Sequence, residues 1–386
     1  MKCIHCGTDT RGKDRASNGG RCEGCKHRFA LEPLRDPLGI TDGQLHAAVQ
    51  RVSGDGNVAF THRQLWYELN RKWMRPVFWG SAFPWLALGT GPAAAGLATV
   101  FALKVALLPF SLAAGALGLG AAVLLHRRAR RRPPLTPPPR IPFERFLPDY
   151  VNKWSEAHGP IRGLVEARPA VPAAQLPSIA ADVSAFSFDR AVVTDRWEMA
   201  AMLVANRFHF EHNCAVLSLD GYPEAIGDTV KNMLRRNPQL TVFALHDASP
   251  EGCLLPLALR EPDWFPDPSV RVVDLGLRPE TARRLRLPVL SHPVRRLPPR
   301  LAEILPQEDV EWLLAGNTAE LASLRPAQVM RAAYDGIRRV GHPGDPASGS
   351  GTDSGSDVGY YGPGGIIWVG DVHDERHDTA TVDGFG

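Results

Sequence analysis

The second half of the chain alternates short apolar runs with stretches of helical periodicity. Apolar positions recur at helical spacing in DRWEMAAMLVANRF and PEAIGDTVKNMLRR, which separate the first three of the apolar runs. Short runs rich in β-branched residues are typical of strands buried in a parallel sheet. The runs are RAVVT (190–194), CAVLSL (214–219), LTVFAL (240–245) and VRVVDLGL (270–277). The pattern predicts a β-α-β-α-β arrangement within an α/β domain over residues 181–340, closed by helices after residue 308.

Two shorter helices are predicted near the amino terminus, over residues 40–75. Thr41 or Asp42 can cap the first helix, and glycines after residue 53 end it. Thr61 can cap a second helix that has one apolar side. The pattern predicts a short winged-helix-like module.

The longest apolar stretch follows directly, and between Pro76 and Leu125 its only charged residue is Lys104. A helix needs about 20 apolar residues to cross a bilayer, so this stretch predicts a transmembrane hairpin over 76–126, with two spans. The turn is placed either at 89–92 or near Lys104. A buried helical hairpin of a soluble protein is the alternative interpretation.

Basic residues flank this stretch on both sides, with HRRARRR after it. By the positive-inside rule, they predict a multi-pass protein of the inner membrane with both termini in the cytoplasm. The arginine run is interpreted as a flank that contacts anionic headgroups. A nucleic-acid patch is the alternative.

Three further segments are predicted to connect or extend the domains. Residues 127–142 form a basic, Pro-rich linker, and residues 143–180 form a helix followed by an Ala/Pro-rich linker. Residues 341–386 are rich in Gly, Ser and Asp, which predicts a disordered tail. Its apolar IIWV segment is a candidate contact with a protein partner.

The composition changes this picture mainly through the cysteines. A chain of 386 residues predicts two or three domains, and a net charge of +3 is too small to identify a partner. Six cysteines are present, and four of them form two C-x2-C pairs near the amino terminus. Such pairs are typical of metal sites in a reducing compartment, not of disulfides.

Cys3 and Cys6 form one pair, and Cys22 and Cys25 form the other, within residues 1–35. Four thiolates form the closed tetrahedral set that Zn²⁺ prefers in structural sites. So small a segment buries too little apolar surface to fold alone, so the metal would supply its folding free energy. The segment resembles a zinc ribbon, a family that contacts nucleic acids and proteins. The resemblance implies structural zinc and leaves both kinds of partner open.

The predicted strand ends each carry an acid, and parallel strands bring these ends to one edge of the sheet. The backbone near Gly252 could receive an anion at a helix start. Alternatively, Ser249 or Asp247 only caps the turn, with Pro250 at the first helical position. The candidate ligand-binding residues are Asp220, His246, Ser249 and Gly252.

The segments AVVTDR, SLDGYP and ALHDASPEG are similar to the Toprim domain of topoisomerases, primases and related nucleases. That family has a Glu after its first strand and Asp-x-Asp after its third. Here Thr194 or Asp195 stands where the Glu is expected, and Ser249 replaces the second Asp. The resemblance implies a degenerate Toprim-like site, with Asp195 and Asp247 as candidate catalytic carboxylates and Mg²⁺ as a candidate cofactor.

The segment RQLWY, residues 63–67, resembles the R-x-[IL]-aromatic-Tyr segment in the A subunit of type IIB topoisomerases. In that family the last Tyr attacks DNA. The resemblance implies that Tyr67 is a candidate catalytic nucleophile. The alternative is that Tyr67 is an ordinary residue of an amphipathic core.

Three functions follow from these features. A membrane-anchored, cytoplasm-facing module that recognises nucleic acid or protein is preferred, because Ser249 removes a carboxylate that metal-dependent cleavage would use. A metal-dependent nuclease or topoisomerase-like enzyme is the first alternative, and a sensor of a small anionic ligand is the second. Two other carboxylates within about 5 Å of Asp247 would favour the enzyme over the other two functions.

Overall fold

A computed structural model of the chain describes residues 1–34, 36, 38–74, 137–165, 189–223, 227–237, 240–265, 267, 270–293 and 296–340. The chain divides into two compact units, Met1–Lys72 with Pro139–Gly386, and Trp73–Pro138. All described residues except 73, 74, 137 and 138 belong to the first unit. The predicted basic run at 127–132, the Ala/Pro-rich linker after residue 165 and the tail at 341–386 lie outside the described residues.

The first residues form two similar turns, each closed by an antiparallel bridge, Lys2 to Asp9 and Arg21 to Arg28. Helix α1, Gly12–Ser17, lies between them. Its buried Arg15 donates to the carbonyl of Thr10 at 2.7 Å and to the carboxylate of Glu32 at 2.8 Å. These bonds attach the short helix to the chain on both sides of it.

Two capped helices follow, α2 (Asp42–Ser53) and α3 (His62–Asn70). Each begins with a capping box, in which the hydroxyl of Thr41 or Thr61 accepts from the backbone N–H three residues later. Gly54 ends α2 in the left-handed conformation, with φ of 53°. The caps predicted at Thr41 and Thr61 are therefore present.

A third helical segment packs against α3. It consists of α4 (Phe143–Phe146), a π-helical turn (Leu147–Asn152) and α5 (Lys153–His158). The indole N–H of Trp66 donates to the carbonyl of Ile141 at 2.7 Å. The side-chain oxygen of Asn70 accepts from the backbone N–H of Ile141 at 3.2 Å. The start of this segment is thus held by two buried hydrogen bonds.

The α/β domain contains a four-stranded parallel sheet with the order β2-β1-β3-β4. Its strands are β1 (Arg190–Thr194), β2 (Ala215–Ser218), β3 (Thr241–Leu245) and β4 (Arg271–Asp274). The predicted parallel sheet is confirmed. Val192 and Phe243 belong to the core on one face, and Ala191 and Val242 to the core on the other. Burial on both faces explains why the strands read as continuous apolar runs.

The remaining elements of this domain are helices and a separate two-stranded antiparallel sheet. They are α6 (Trp197–Ala205), α7 (Phe208–Glu211), α8 (Gly227–Leu234), α9 (Pro250–Cys253), α10 (Leu255–Ala258), α11 (Pro279–Arg284), β5 (Leu290–Ser291), α12 (Leu301–Ile304), α13 (Gln307–Leu314), β6 (Asn317–Thr318), a 3-10 turn (Leu321–Ser323) and α14 (Pro326–Val340).

The structure corrects the prediction of a transmembrane hairpin over residues 76–126. Across the described ranges, no helix has the length and apolar character needed to cross a membrane. The longest of these helices, α14, has 15 residues and an amphipathic pattern, whereas a span needs about 20 mostly apolar residues. Residues 76–126 themselves lie outside the described residues. The structure therefore does not support the predicted membrane anchor, its two spans or the inner-membrane location with both termini in the cytoplasm.

Candidate functional site

The four amino-terminal cysteines come together as predicted. The sulfur atoms of Cys3, Cys6, Cys22 and Cys25 all lie within 4.8 Å of one another. Hydrogen bonds with the side chain and backbone of Thr8 lower the pKa of Cys6 to about 6. Although a backbone hydrogen bond at His27 opposes it, burial and the neighbouring cysteines raise the pKa of Cys25 to about 12. A lowered pKa favours the thiolate, the form that binds metal. The cluster is therefore compatible with a zinc site.

Asp42 connects the segment that carries the cysteine cluster with helices α2 and α5. This buried carboxylate accepts from the backbone N–H groups of Ala30 at 2.9 Å and Leu31 at 2.8 Å. It also pairs with Nε2 of His158 at 2.8 Å, and Nδ1 of His158 lies 3.1 Å from Nε2 of His5. Since His5 precedes Cys6 directly, a polar chain connects the cysteine-bearing turns with α2 and α5.

At the carboxyl edge of the sheet, the structure brings two of the predicted residues together. Asp195 follows β1 and Asp247 follows β3, and the N–H of Asp247 donates to Oδ2 of Asp195 at 2.9 Å. The carboxylate of Asp247 is buried and has both oxygens engaged. Oδ2 accepts from Nε of Arg196 at 2.7 Å, and Oδ1 accepts from the N–H of Leu321 at 2.7 Å.

A third carboxylate at this edge, Glu320, was missed by the sequence reasoning. An antiparallel bridge between Ala248 and Ala319 carries Glu320 to the edge. Arg63 in α3 donates to both of its oxygens, at 2.7 and 2.6 Å. A second guanidinium, of Arg196, lies 3.6 Å from it. The only signal in the sequence was an acid inside the apolar stretch TAELASL.

The charges at this edge are strongly coupled. Burial, then the charges of Asp195 and Glu320, raise the pKa of Asp247 well above its ordinary value. Burial also raises the pKa of Asp195. Although burial opposes it, bonding to Arg63 lowers the pKa of Glu320, so this carboxylate is the charged partner of the two arginines. The protein thus holds three acids here by surrounding them with Arg63 and Arg196.

The acids line a small cavity of about 90 Å³. Pockets for drug-sized ligands usually enclose roughly 300–1,000 Å³. Asp195 contributes an oxygen, Oδ1, that is buried and has no hydrogen-bond partner within the described ranges. The cavity is lined by Thr61, Arg63, Phe143, Asp195, Arg196, Glu198, Met199, Asp247, Glu320 and Ala322.

The candidate Mg²⁺ ligands Asp195 and Asp247 lie next to an arginine. Among the described residues, the four cysteines are the only group of three or more His, Cys, Asp or Glu side chains with ligand atoms close enough to share an ion. The cation next to Asp247 is instead the guanidinium of Arg196. An arginine therefore neutralises the acids that would otherwise attract a metal ion.

Tyr67 is buried and is not among the residues that line the cavity. Its hydroxyl is buried and interacts with the carboxylate of Glu320. Burial and the neighbouring charge of Glu320 raise the pKa of Tyr67 well above its ordinary value. A nucleophilic tyrosine needs access to its substrate, whereas Tyr67 is only 2% exposed in this structure.

The other predicted residues have local structural partners. Asp220 accepts from the N–H of Trp197 at the start of α6, at 3.2 Å. The hydroxyl of Ser249 accepts from the N–H of Gly252 at 2.9 Å, and Pro250 is the first residue of α9. This is the capping arrangement left open above, and it uses the N–H of Gly252 that was considered for an anion.

The imidazole of His246 is buried between the carboxylate of Asp274 and the backbone carbonyl of Asp247. Its Nε2 lies 3.1 Å from the carboxylate of Asp274, and its Nδ1 lies 2.8 Å from the backbone oxygen of Asp247. Gly276 packs so closely that a Cβ atom there would lie 2.1 Å from the imidazole. His246 therefore orients the strand ends and does not line the cavity.

Comparison with models of protein families, with curated proteins and with solved structures gave no match for this chain. The Toprim-like interpretation therefore rests on the quoted segments alone, and it remains a prediction.

Proposed function

We propose that this protein binds nucleic acid through phosphate contacts and does not cleave it. The observation that carries the proposal is the position of Arg196 beside Asp247, with Glu320 and Arg63 completing a neutralised cluster. A two-metal phosphodiesterase holds its ions with freely available carboxylates. Here an arginine takes the place next to the central acid.

Phosphate is the ligand class that suits the exposed groups of this region. The side chain of Arg196 is 50% exposed, although one of its nitrogen atoms is bonded to Asp247. A guanidinium has five N–H donors, so donors remain for phosphate oxygens. Contacts of this kind supply most of the affinity of proteins for nucleic acid and carry little sequence information.

The zinc-compatible cluster supports the same proposal. Its resemblance to a zinc ribbon brings nucleic acid within the expected range of partners, and the polar chain through Asp42 attaches it to the helices. The small cavity argues against the alternative of a sensor for a small anionic ligand, because about 90 Å³ leaves little room for one.

The test combines binding and cleavage assays on the purified full-length protein. Fluorescence anisotropy with labelled single- and double-stranded oligonucleotides should show binding that weakens as salt is added. Supercoiled DNA incubated with the protein and Mg²⁺ or Mn²⁺ should stay intact. Arg196→Gln should weaken binding, whereas Arg300→Gln, at an exposed surface pair with Glu261, should not.

Two results would overturn the proposal. One is the absence of binding to either oligonucleotide at low salt. The other is nicking, or a covalent tyrosyl-DNA adduct, that disappears in both Asp247→Ala and Tyr67→Phe.

A further inference from the structure

Three arginines converge on one buried glutamate at some distance along α3 from the strand-end cluster. Oε1 of Glu68 accepts from Nε of Arg51 at 2.7 Å, and Oε2 accepts from Nε of Arg71 at 2.9 Å. Arg325 adds two longer bonds, at 3.3 and 3.4 Å. The four residues come from α2, from α3 and its end, and from the start of α14.

The charges of this group do not balance. Within the described residues, the salt bridges of all three arginines lead to Glu68. Although burial opposes it, the charge of Arg71 and the other two guanidinium groups lower the pKa of Glu68, so the carboxylate stays ionised. One negative charge therefore faces three positive charges, and two positive charges are left over.

The surplus charge faces solvent. The side chain of Glu68 is only 2% exposed, whereas those of Arg51, Arg71 and Arg325 are 50, 40 and 42% exposed. Arg51 uses one N–H on the carboxylate, and Arg71 uses a second one on the carbonyl of Ser323 at 3.3 Å. Most of the guanidinium donors have no partner among the described residues, so they can bind an anion from outside.

A purely structural tie between the helices would not need this arrangement. One arginine neutralises one carboxylate, and each further guanidinium adds repulsion between like charges. A multivalent anion on the outer side would relieve that repulsion. The buried carboxylate also holds the guanidinium groups in place beforehand, which reduces the side-chain entropy lost when an anion binds.

We infer that Arg51, Arg71 and Arg325 form a phosphate-binding site organised by Glu68. The site would take the phosphate groups of a nucleic-acid backbone, and that choice of ligand rests on the proposed function. Binding of an oxyanion as such depends only on the arginine group. Such a site positions the nucleic acid without reading its sequence.

The experiment compares wild type with Arg51→Gln and Arg325→Gln, made singly. Each substitution leaves Glu68 paired with two arginines. The buried carboxylate therefore keeps its charge partners, and the fold should be retained. Arg145→Gln is the matched control, since Arg145 is an exposed arginine paired with Asp149 on another helical segment. Circular dichroism checks that all four proteins are folded, and Arg51→Lys tests whether a charge without the guanidinium fork is enough.

The first measurement is the rise of Tm with inorganic phosphate at constant ionic strength, set with chloride. Wild type and Arg145→Gln should be stabilised by phosphate, and both cluster variants should lose most of this effect. The second is oligonucleotide affinity as a function of salt. Each cluster variant should bind about three- to tenfold more weakly, with a salt slope smaller by about one.

The outcomes separate this inference from the proposed function. If the cluster variants bind oligonucleotides with wild-type affinity and salt slope, the phosphate site is refuted while nucleic-acid binding stands. If wild type binds no oligonucleotide, the proposed function fails, and the phosphate measurement alone decides the site. Equal stabilisation of wild type and cluster variants by phosphate would then refute it.

Discussion

Arg196 is the residue on which the strand-end site depends most directly, because it is the cation bound to the buried carboxylate of Asp247. We expect Arg196→Met to lower the free energy of unfolding by about 2 kcal/mol at neutral pH, the size of a hydrogen bond to a charged group. The decrease in unfolding free energy caused by Arg196→Met should be smaller in mild acid than at neutral pH. Without Arg196 the folded-state pKa of Asp247 rises further above its unfolded value, so stability falls as pH rises through that interval.

Chemical denaturation of wild type and Arg196→Met at neutral pH and in mild acid checks this expectation. Arg300→Met is the control, because its partner Glu261 is exposed and needs little compensation. A difference between Arg196→Met and wild type that does not depend on pH would contradict the role assigned to Asp247.

At the scale of elements, the start of α3 is fixed by a buried capping box. The hydroxyl of Thr61 accepts from the N–H of Gln64 at 3.1 Å, and the side chain of Gln64 accepts from the N–H of Thr61 at 2.9 Å. Thr61→Ala should cost about 1–2 kcal/mol of unfolding free energy, since it leaves a buried donor unpaired. Thr61→Ser should restore most of it. Denaturant titration measures both variants.

Thr41 provides a matched comparison, because it begins α2 with the same capping box at a more exposed position. Thr41→Ala should therefore cost less than Thr61→Ala. Equal costs at the two positions would show that burial of the cap adds nothing.

At the scale of the whole molecule, the metal-binding turns and the helices should lose structure together. Asp42 bonds Ala30 and Leu31 on one side and His158 on the other, so loss of the metal should be transmitted to α2 and α5. We expect one zinc ion per chain by elemental analysis, and faster proteolysis of residues 1–74 after chelation.

The cysteine variants supply the control for this expectation. Cys22→Ala should lose the zinc, whereas Cys214→Ala should keep it, because Cys214 is buried in the core of the α/β domain. Unchanged zinc content in Cys22→Ala would exclude the four-cysteine site.

The features that the sequence predicted correctly are those encoded by neighbouring residues. The paired C-x2-C spacing identified the cysteine cluster, the threonines before α2 and α3 identified the caps, and four apolar runs identified the parallel sheet. The prediction of a transmembrane hairpin was wrong. Apolar composition and length indicate a candidate span, but no helix of the described residues is long and apolar enough to cross a membrane.

The sequence by itself determined which residues form the strands, the helix caps and the cysteine pairs, since each depends on contacts or periodicity within a few positions. Only the tertiary structure decided what surrounds the acids at the strand ends. The bond from Leu321 to Asp247 joins residues 74 positions apart, and the pair of Arg63 with Glu320 joins residues 257 positions apart. A local sequence pattern does not identify contacts between residues so far apart. These residues meet only because the helices pack on the sheet. That packing places Arg63 and Arg196 beside the acids at the strand ends.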